Sequence, residues 1–416
     1  MSGLALVAQA LGAQVTGSDR ADSPYEERLR EHGIQPVIGH DAANVPDGAE
    51  VVYSSAIPAD NPERLAAGAR QLHRADLLGE ITRLRRCIAI TGTHGKTTTT
   101  AMVVHALRGC GLDPSYLVGG ELHSTGSNAG WGSGEWVVVE ADESDRSLLK
   151  LDPDIAVLTN AELDHHATYT SRLDLESTLA EFMSRAEQTV VWDRAALRAL
   201  CPPDAVAYDA PAPVLDANGA RFRWRGLEVV LRVPGAHNAI NAAGALSACA
   251  LAGADPAGAA AALADFGGAR RRFERVGDTP GGAAVYDDYA HHPTEVAATL
   301  AAARTLGPDR VVAVFQPHLY SRTRALAHGF GVALAAADVV AVVDVYPARE
   351  LASDFPGVTG RLVAAATADA GNGGQVAWLP AMPAAARFLR SILRSGDLCL
   401  TMGAGDVDSL ARALTA

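Results

Sequence analysis

The sequence predicts an α/β protein of three domains, built on parallel sheets with crossover helices. Short apolar strands alternate with helix-like segments along the whole chain, which is the pattern typical of such sheets. The length of 416 residues allows two to four domains at about 100 to 200 residues each. Changes of sequence character near residues 85 and 269 then indicate three domains, at 1–84, 85–268 and 269–416.

The first domain opens on a helix. Residues 2–11 are helix-like, and strands are predicted at 14–19 and 50–55. In a doubly wound domain the first helix follows a central strand and a Gly-rich turn, and neither precedes it in this sequence. We therefore expect the natural polypeptide to begin roughly 10 to 20 residues upstream, from the usual lengths of strands and turns.

The central and third domains each supply several apolar strands. The central domain ends with a polar, turn-rich segment at 204–231 and an alanine-rich region at 239–266, and alanine is the best helix former. The predicted strands, in chain order, are at 87–90, 136–139, 155–158, 189–192, 284–286, 311–315, 339–343, 375–379 and 398–402.

The composition excludes several classes of partner. With 35 basic and 48 acidic residues the net charge is −13, and no basic run could follow a phosphate backbone, so nucleic acid is not expected. The longest apolar stretches fall far short of the roughly 18 residues that a membrane span needs. Five scattered cysteines and the lack of a secretory signal predict reduced thiols in the cytoplasm.

A phosphate-binding loop is predicted after the strand at 87–90. Residues 91–97 read Thr-Gly-Thr-His-Gly-Lys-Thr, so backbone N–H groups and a helix N-terminus can face an anion. Lys96, one of only two lysines in the chain, can reach the terminal phosphates, and Thr97 offers a hydroxyl to Mg2+. Ile90 stands where the Walker pattern has its first glycine. The alternative is an ordinary Gly-rich turn.

Two further strands end in polar residues suited to a metal ion. Residues 140–145 read Glu-Ala-Asp-Glu-Ser-Asp, and residues 159–166 end in Asp-His-His. Carboxylates at the carboxyl end of a strand beside a phosphate loop can hold Mg2+, which prefers oxygen ligands. An acidic run alone is more often a solvated turn, and a lone histidine there is more often structural.

Three clusters downstream complete the candidate set. Residues 234–241 place His237, Asn238 and Asn241 at a helix start, where Asn238 could be an N-cap or these amides could recognise a base. Residues 287–295 and 316–324 each follow a strand and combine histidine with aspartate or arginine. Such groups bind carboxylates and phosphates.

Together these motifs resemble the muramyl ligases, the ATP-dependent amino-acid ligases of peptidoglycan precursor synthesis. The resemblance covers nearly the whole chain, including residues 52–58 and 73–80. It implies an N-terminal Rossmann-like domain for the UDP-sugar, a central P-loop ATPase-like domain and a C-terminal Rossmann-like domain that carries the amino acid. The missing Gly-rich turn would be the one that receives the UDP diphosphate.

The resemblance also implies a role for each matched residue. The residues implied in nucleotide binding are Gly92, Thr93, His94, Gly95, Lys96, Thr97, Thr98, His237, Asn238, Asn241, Asp288 and Tyr289. Those implied in catalysis are Lys96, Glu140, His165, Arg272, His291 and Arg322, with Thr97, Glu140 and His165 as Mg2+ ligands. Those implied in substrate binding are Ser54, Ser55, His291, His318 and Arg322.

The implied reaction uses ATP and Mg2+ to join L-alanine to the lactyl carboxylate of UDP-N-acetylmuramate through an acyl phosphate, in a monomer or homodimer. Two alternatives remain: a ligase that recycles murein tripeptide, and a nucleotide-binding module without activity. Some sister ligases hold a second metal with a carbamoylated lysine, but the chain has no lysine after Lys150. A second Mg2+ would therefore depend on His165 and carboxylates.

Overall fold

The computed structural model describes residues 1–22, 24–164, 168–371 and 373–416. Within these ranges no helix combines the length and the apolar character that crossing a membrane requires. The architecture is α/β in three domains, as the sequence predicts.

The first domain carries two separate parallel strand pairs, β1 with β2 and β3 with β4. The predicted helix at 2–11 is present, whereas the strand predicted at 14–19 is confined to its last three residues. Leu4 and Val7 of the first helix pack against Ile81 and against Ala129 of the central domain. The elements are α1 (Ser2–Ala10), β1 (Gly17–Asp19), α2 (Pro24–Glu31), β2 (Pro36–Ile38), β3 (Val51–Tyr53), α3 (Pro62–Ala67), β4 (Gln71–His73) and α4 (Arg74–Thr82), with a 3-10 turn at Ala42–Asn44.

The central domain is built on a seven-stranded sheet of order β11-β10-β9-β5-β8-β6-β7. All neighbours are parallel except the last pair, a hairpin at one side of the sheet that the sequence did not predict. The elements are β5 (Arg86–Thr91), α5 (Lys96–Gly109), β6 (Ser115–Leu122), β7 (Ser127–Gly130), β8 (Trp136–Glu140), β9 (Ile155–Leu158), α6 (Arg172–Arg185), β10 (Gln188–Trp192), α7 (Ala195–Arg198) and β11 (Val206–Tyr208), with a 3-10 turn at Ser147–Lys150.

The segment at 204–231, predicted to be polar and turn-rich, is more regular than expected. After β11 it forms a three-stranded antiparallel sheet, because alternate residues of its middle strand, Ala220, Phe222 and Trp224, point into the core. The alanine-rich region is helical, as predicted. The elements are β12 (Val214–Asp216), β13 (Gly219–Trp224), β14 (Leu227–Leu231), α8 (Ala236–Leu251) and α9 (Pro256–Ala262), with a 3-10 turn at Leu263–Asp265.

The third domain has a six-stranded sheet of order β15-β16-β20-β17-β18-β19, parallel except for its first pair. All five strands predicted here are present. The elements are β15 (Glu274–Asp278), β16 (Ala284–Asp288), α10 (Pro293–Thr305), β17 (Arg310–Phe315), α11 (Tyr320–Leu334), β18 (Val339–Val342), α12 (Gly360–Asp369), β19 (Gln375–Trp378), α13 (Met382–Ile392), β20 (Asp397–Met402) and α14 (Asp408–Thr415), with a 3-10 turn at Ala352–Asp354.

Candidate active site

The phosphate loop connects β5 to α5 in a conformation that depends on its glycines. Gly92 and Gly95 have φ values of +125° and +79°, which L side chains rarely adopt. A Cβ at Gly92 would overlap the Thr159 hydroxyl, and one at Gly95 would lie 2.6 Å from Asn241 Oδ1. The loop therefore fits closely between β9 and α8, with the first N–H groups of α5 at its end.

Lys96 lies inside this loop rather than in solvent. Its Nζ donates to the carbonyl oxygens of Gly92 at 2.7 Å and Thr93 at 3.2 Å, and it is 2.9 Å from Glu143 Oε2. Burial alone would lower the lysine pKa, but the carboxylates of Glu143, Asp142 and Glu140 outweigh it and raise the pKa. The ammonium is thus held charged inside the loop.

Thr97 joins the central and third domains at the start of α5. Arg272 Nη2 donates to Thr97 Oγ1 at 3.1 Å, and the same hydroxyl bonds to the Glu140 carboxylate. Gly119 N donates to Glu140 Oε1 at 2.7 Å. Burial raises the Glu140 pKa, although Gly119, Lys96 and Arg272 each oppose the shift.

This cluster has the donors that Mg2+ prefers. Glu140 ends β8 with its carboxylate so close to the backbone that a Cβ at Gly119 would lie 2.8 Å from Oε2. Thr97 adds a hydroxyl beside it, and oxygen ligands of this kind suit Mg2+. Burial raises the Glu140 pKa despite the nearby cations Lys96 and Arg272, so a divalent cation bound here would favour the ionised carboxylate. His165, the third expected ligand, lies outside the described residues.

The residues predicted near the base lie at the start of α8, where Asn241 packs against Gly95 of the loop. The helix begins at Ala236 after Gly235, so Asn238 is not its cap but donates from Nδ2 to Pro234 O at 2.7 Å. Asn241 is buried against Gly95. Burial lowers the pKa of His237 to about 4, so this imidazole is neutral at pH 7.

The other predicted loop residues have mixed surroundings. The Thr93 hydroxyl donates to Glu162 O at 2.8 Å and accepts from Glu162 N. Thr98 is buried at the start of α5. The His94 side chain points away from the loop, between Glu162 and Glu295.

Asp288 and Tyr289 reach this site from the end of β16. Asp288 accepts hydrogen bonds from Phe273 N and Ala290 N, each at 2.7 Å. Burial raises the Asp288 pKa to about 6, against the opposing charge of Arg272. The Arg272 guanidinium lies 5.2 Å from the centre of the Tyr289 ring, which is within cation–π range.

The predicted substrate residues of the third domain form a second cluster that contacts the central domain. Arg322 binds Asp164 through two hydrogen bonds, of 2.9 and 3.0 Å, with both side chains at most 4% exposed. Its Nη1 is 3.1 Å from His318 Nδ1, and the His291 and His318 ring centres are 6.2 Å apart. Burial lowers the pKa of His291 to about 4 and that of His318 to about 3, with Arg322 adding to both shifts.

Ser54 and Ser55 lie elsewhere, where the first domain meets the acidic run. Ser55 Oγ donates to Asp145 Oδ2 at 2.8 Å, and Arg74 Nη2 binds the same oxygen at 3.0 Å. Ser54 O accepts from Ile57 N within its own turn. Among the described residues, the hydrogen-bond partners of these two serines are His73, Asp145 and Ile57, all outside the phosphate loop.

Several contributors were absent from the predicted set. Glu143 and Glu162 belong to the polar segments that follow β8 and β9, but their partners lie on other elements. The same holds for Asp164 and Glu295, whose partners belong to a different domain. The sequence feature that could have identified these acids is their position, soon after a predicted strand or in the first turn of a helix.

Comparison with known proteins finds relatives along the whole chain. The models of the Mur ligase catalytic, middle and glutamate ligase domains match residues 1–86, 90–200 and 271–405. The UDP-N-acetylmuramate–L-alanine ligase of Rubrobacter xylanophilus is 43% identical, over 100% of this chain and 97% of that protein. The enzyme of the same name from Kineococcus radiotolerans is 45% identical, over 99% and 92%.

Solved structures agree as well. The UDP-N-acetylmuramate-alanine ligase of Thermotoga maritima has a TM-score of 0.85 at 28% identity, over 100% of this chain and 95% of that one. A murein peptide ligase from Psychrobacter arcticus, at 23% identity, shares the fold with a TM-score of 0.73, over 100% of this chain and 95% of that one. With the three domain models in order and relatives above 40% identical over nearly its whole length, the chain belongs to the Mur ligase family.

Proposed function

We propose that this Mur ligase uses ATP to join L-alanine to the lactyl carboxylate of UDP-N-acetylmuramate through an acyl phosphate. The observation that carries the proposal is that third-domain groups contact the central domain at two places: Arg272 at Thr97 beside the phosphate loop, and the His318–Arg322 cluster at Asp164. The names of the full-length relatives support the same pair of substrates. Amide formation from a free carboxylate is uphill in water, so phosphorylation supplies the driving force.

In the first half-reaction, a lactyl carboxylate oxygen attacks the γ-phosphorus of ATP, the bond from that phosphorus to the β,γ-bridging oxygen breaks, and ADP leaves. The loop N–H groups bind the phosphates, and Lys96 exchanges its contacts with Gly92 O and Thr93 O for phosphate oxygens. Arg272, already 3.1 Å from Thr97 Oγ1, places a second positive charge beside the transferring group. Fixed charges of this kind stabilise phosphoryl transfer chiefly by electrostatics.

Thr97 and Glu140 would hold Mg2+, and His165 would support a second ion, as the resemblance implies. Bound Mg2+ neutralises phosphate charge and orients the phosphates. The chain's own part is to fix Glu140 through Gly119 N. This assignment rests on the oxygen donors that converge at the start of α5.

In the second half-reaction, the neutral amine of L-alanine attacks the acyl carbon, the bond from that carbon to the phosphate oxygen breaks, and inorganic phosphate and one proton leave as the amide forms. Arg322 is a buried guanidinium whose Nε and Nη2 donate to Asp164. A substrate carboxylate would replace Asp164 there or use the remaining N–H groups. His291 and His318 are neutral at pH 7 because burial lowers their pKa values to about 4 and 3. Neutral imidazoles can accept hydrogen bonds from an amine, so this cluster is suited to an amino acid or its acyl-phosphate partner.

A substrate panel tests the proposal. ADP formation would be measured with UDP-N-acetylmuramate and, in turn, L-alanine, glycine, L-serine and a murein tripeptide, with no amino acid as the blank. We expect the highest kcat/KM with L-alanine. Preference for the tripeptide would favour the recycling ligase, and ADP release with none of the four would favour the inactive module.

Three coarser features belong to the same proposal. We propose domain boundaries near residues 85 and 269. All strands of the seven-stranded sheet lie between these two positions, and all strands of the six-stranded sheet lie after the second, which supports the proposal. We propose a cytoplasmic location, where ATP is made; the five free thiols agree with it. We propose a monomer or homodimer, which light scattering would distinguish.

A further inference from the structure

The side chain of His94 links the phosphate loop to the third domain. Its Nδ1 is 3.2 Å from Glu295 Oε1, and its Nε2 is 3.4 Å from Glu162 Oε2. Its backbone is held separately: His94 N donates to Asn160 Oδ1 at 2.8 Å, and His94 O accepts from Thr159 Oγ1 and Asn160 Nδ2. The loop backbone is thus fixed within the central domain, while the imidazole contacts α10 of another domain.

The two contacts require His94 to be an imidazolium. Both ring nitrogens face a carboxylate oxygen, and only the protonated ring can donate from both. Burial would lower the His94 pKa, but Glu295 and Glu162 outweigh it and raise the pKa to about 9. The third neighbour is His292, whose ring centre is 4.7 Å from that of His94 and whose own pKa is lowered by burial and by His94.

Glu295 connects this contact to the predicted substrate residues. While Oε1 faces His94, Oε2 accepts from His291 N at 2.9 Å and from His292 N at 3.2 Å, closing the capping box of α10. One carboxylate therefore binds both the phosphate loop and the backbone of His291. A parallel link runs from Thr294 Oγ1 to Glu162 Oε2 at 2.6 Å.

We propose that His94 and Glu295 are positioning residues that couple the phosphate loop to the turn carrying His291, so that both halves of the site assemble only when the third domain is docked. The proposal rests on the proposed function, in which the loop serves phosphoryl transfer and His291 serves the second substrate. It also gives His94 a role through its side chain that differs from direct phosphate binding.

A metal ion is the competing occupant. His94, Glu162 and His292 have possible ligand atoms within 4.8 Å of one another. A metal would need a neutral His94, whereas both of its nitrogens face carboxylates, and Glu162 is already bound by Thr294. Elemental analysis of the purified full chain should find no transition metal in stoichiometric amount. One equivalent of zinc lost in the His94→Asn variant would overturn the proposal.

A double-mutant cycle tests the coupling. Glu295→Gln keeps a residue that suits the capping box but removes the charge, and His94→Asn keeps a short donor but cannot be protonated. Each change should lower kcat about tenfold, or ~1.4 kcal/mol, with less effect on the KM for ATP. The double variant should be little worse than either single variant, because coupled residues are not additive. If kcat of the double variant fell about 100-fold, the product of the two single losses, the two residues would have independent structural roles and the proposal would be overturned.

The matched control is Glu181→Gln on α6, the same chemical change at an exposed carboxylate that pairs with Arg185 four residues away. It should leave kcat unchanged.

The pH profile gives a readout that a purely structural role would not change. In the wild type, kcat should fall as pH rises through about 9, because His94 loses its proton while facing Glu162, Glu295 and His292. In Glu295→Gln this limb should move to lower pH, and in His94→Asn it should be absent.

Glu295 also interacts with His291, which is neutral at neutral and alkaline pH, and with the Arg272 guanidinium. Neither residue is changed by these variants. An alkaline limb identical in the wild type and His94→Asn would contradict the coupling.

Hydrogen exchange without substrates separates this inference from the proposed function. Amides at 92–97 should exchange faster in Glu295→Gln than in Glu181→Gln, whether or not the wild type uses L-alanine. Equal exchange in the two variants would overturn the proposal even in a fully active ligase.

Discussion

Replacing Lys96 with methionine would test the phosphate loop and its supporting carboxylate together. Methionine keeps most of the apolar stem but removes the ammonium, which now donates to Gly92 O at 2.7 Å and lies 2.9 Å from Glu143 Oε2. Losing one preorganised donor to charge that develops in the transition state costs about 2.7–4 kcal/mol. We therefore expect kcat to fall by about 100- to 1000-fold.

The same change should destabilise the central domain. The Glu143 side chain is only 1% exposed, so Lys96→Met removes the cation from a buried carboxylate. Removing one partner of a buried ion pair lowers the free energy of unfolding by about 3–5 kcal/mol. At about 2–4 °C per kcal/mol for a domain of this size, the melting temperature should fall by roughly 6 to 20 °C. Adding Glu143→Gln should restore much of the melting temperature but none of the activity.

The assays are ADP release at saturating ATP and calorimetric melting of the full chain. If Lys96→Met kept more than about a tenth of wild-type kcat, a loss of only ~1.4 kcal/mol, the role of the ammonium in phosphoryl transfer would be refuted. If the double variant melted no higher than Lys96→Met, the destabilisation would have a cause other than the buried carboxylate.

Three further predictions concern other parts of the site. Arg322→Ala and His318→Ala should raise the KM for L-alanine, or lower kcat, more than they weaken ATP binding measured by calorimetry; equal weakening of both would contradict the division between domains. Glu140→Gln should raise the Mg2+ concentration for half-maximal ADP release, and an unchanged Mg2+ titration would exclude it as a ligand. Despite partial burial, hydrogen bonds from Ser147 and Ser55 help to lower the Asp145 pKa from 3.8 to about 2. Its stabilising contribution should be complete above about pH 4 and lost as pH falls towards 2, so the melting temperature of Asp145→Asn should depend less on pH there than that of the wild type.

The fold was predictable where strands are buried on both faces. Such strands are continuous apolar runs, and Trp136–Glu140 and Ile155–Leu158 differ from prediction by at most one residue. The hairpin of Ser115–Leu122 and Ser127–Gly130 was missed because its glycines and polar residues lack that signal. The sheet within 204–231 does carry a signal, the alternation at Ala220, Phe222 and Trp224, but frequent turn residues masked it.

The site was predictable to the extent that it follows strand ends. Parallel strands bring their carboxyl ends to one edge, which explains why Lys96, Glu140 and Thr97 form one cluster. Contacts between domains were not predictable, because nothing local identifies the partner. His94 and Glu295 are 201 residues apart in sequence, and Asp164 gives no sign in its own segment that its partner is Arg322.

The scarcity of lysine has a practical consequence for chemical labelling. Only two side chains in the chain carry a primary amine. One is Lys96 in the loop, and the other is Lys150, whose side chain is 56% exposed and 2.8 Å from Asp76. Besides the N-terminal amine, an amine-directed acyl-phosphate analogue of ATP would therefore have one lysine target in the proposed nucleotide site and one lysine on the surface. Mass spectrometry of two peptides would then report nucleotide occupancy, with the surface amine as an internal standard.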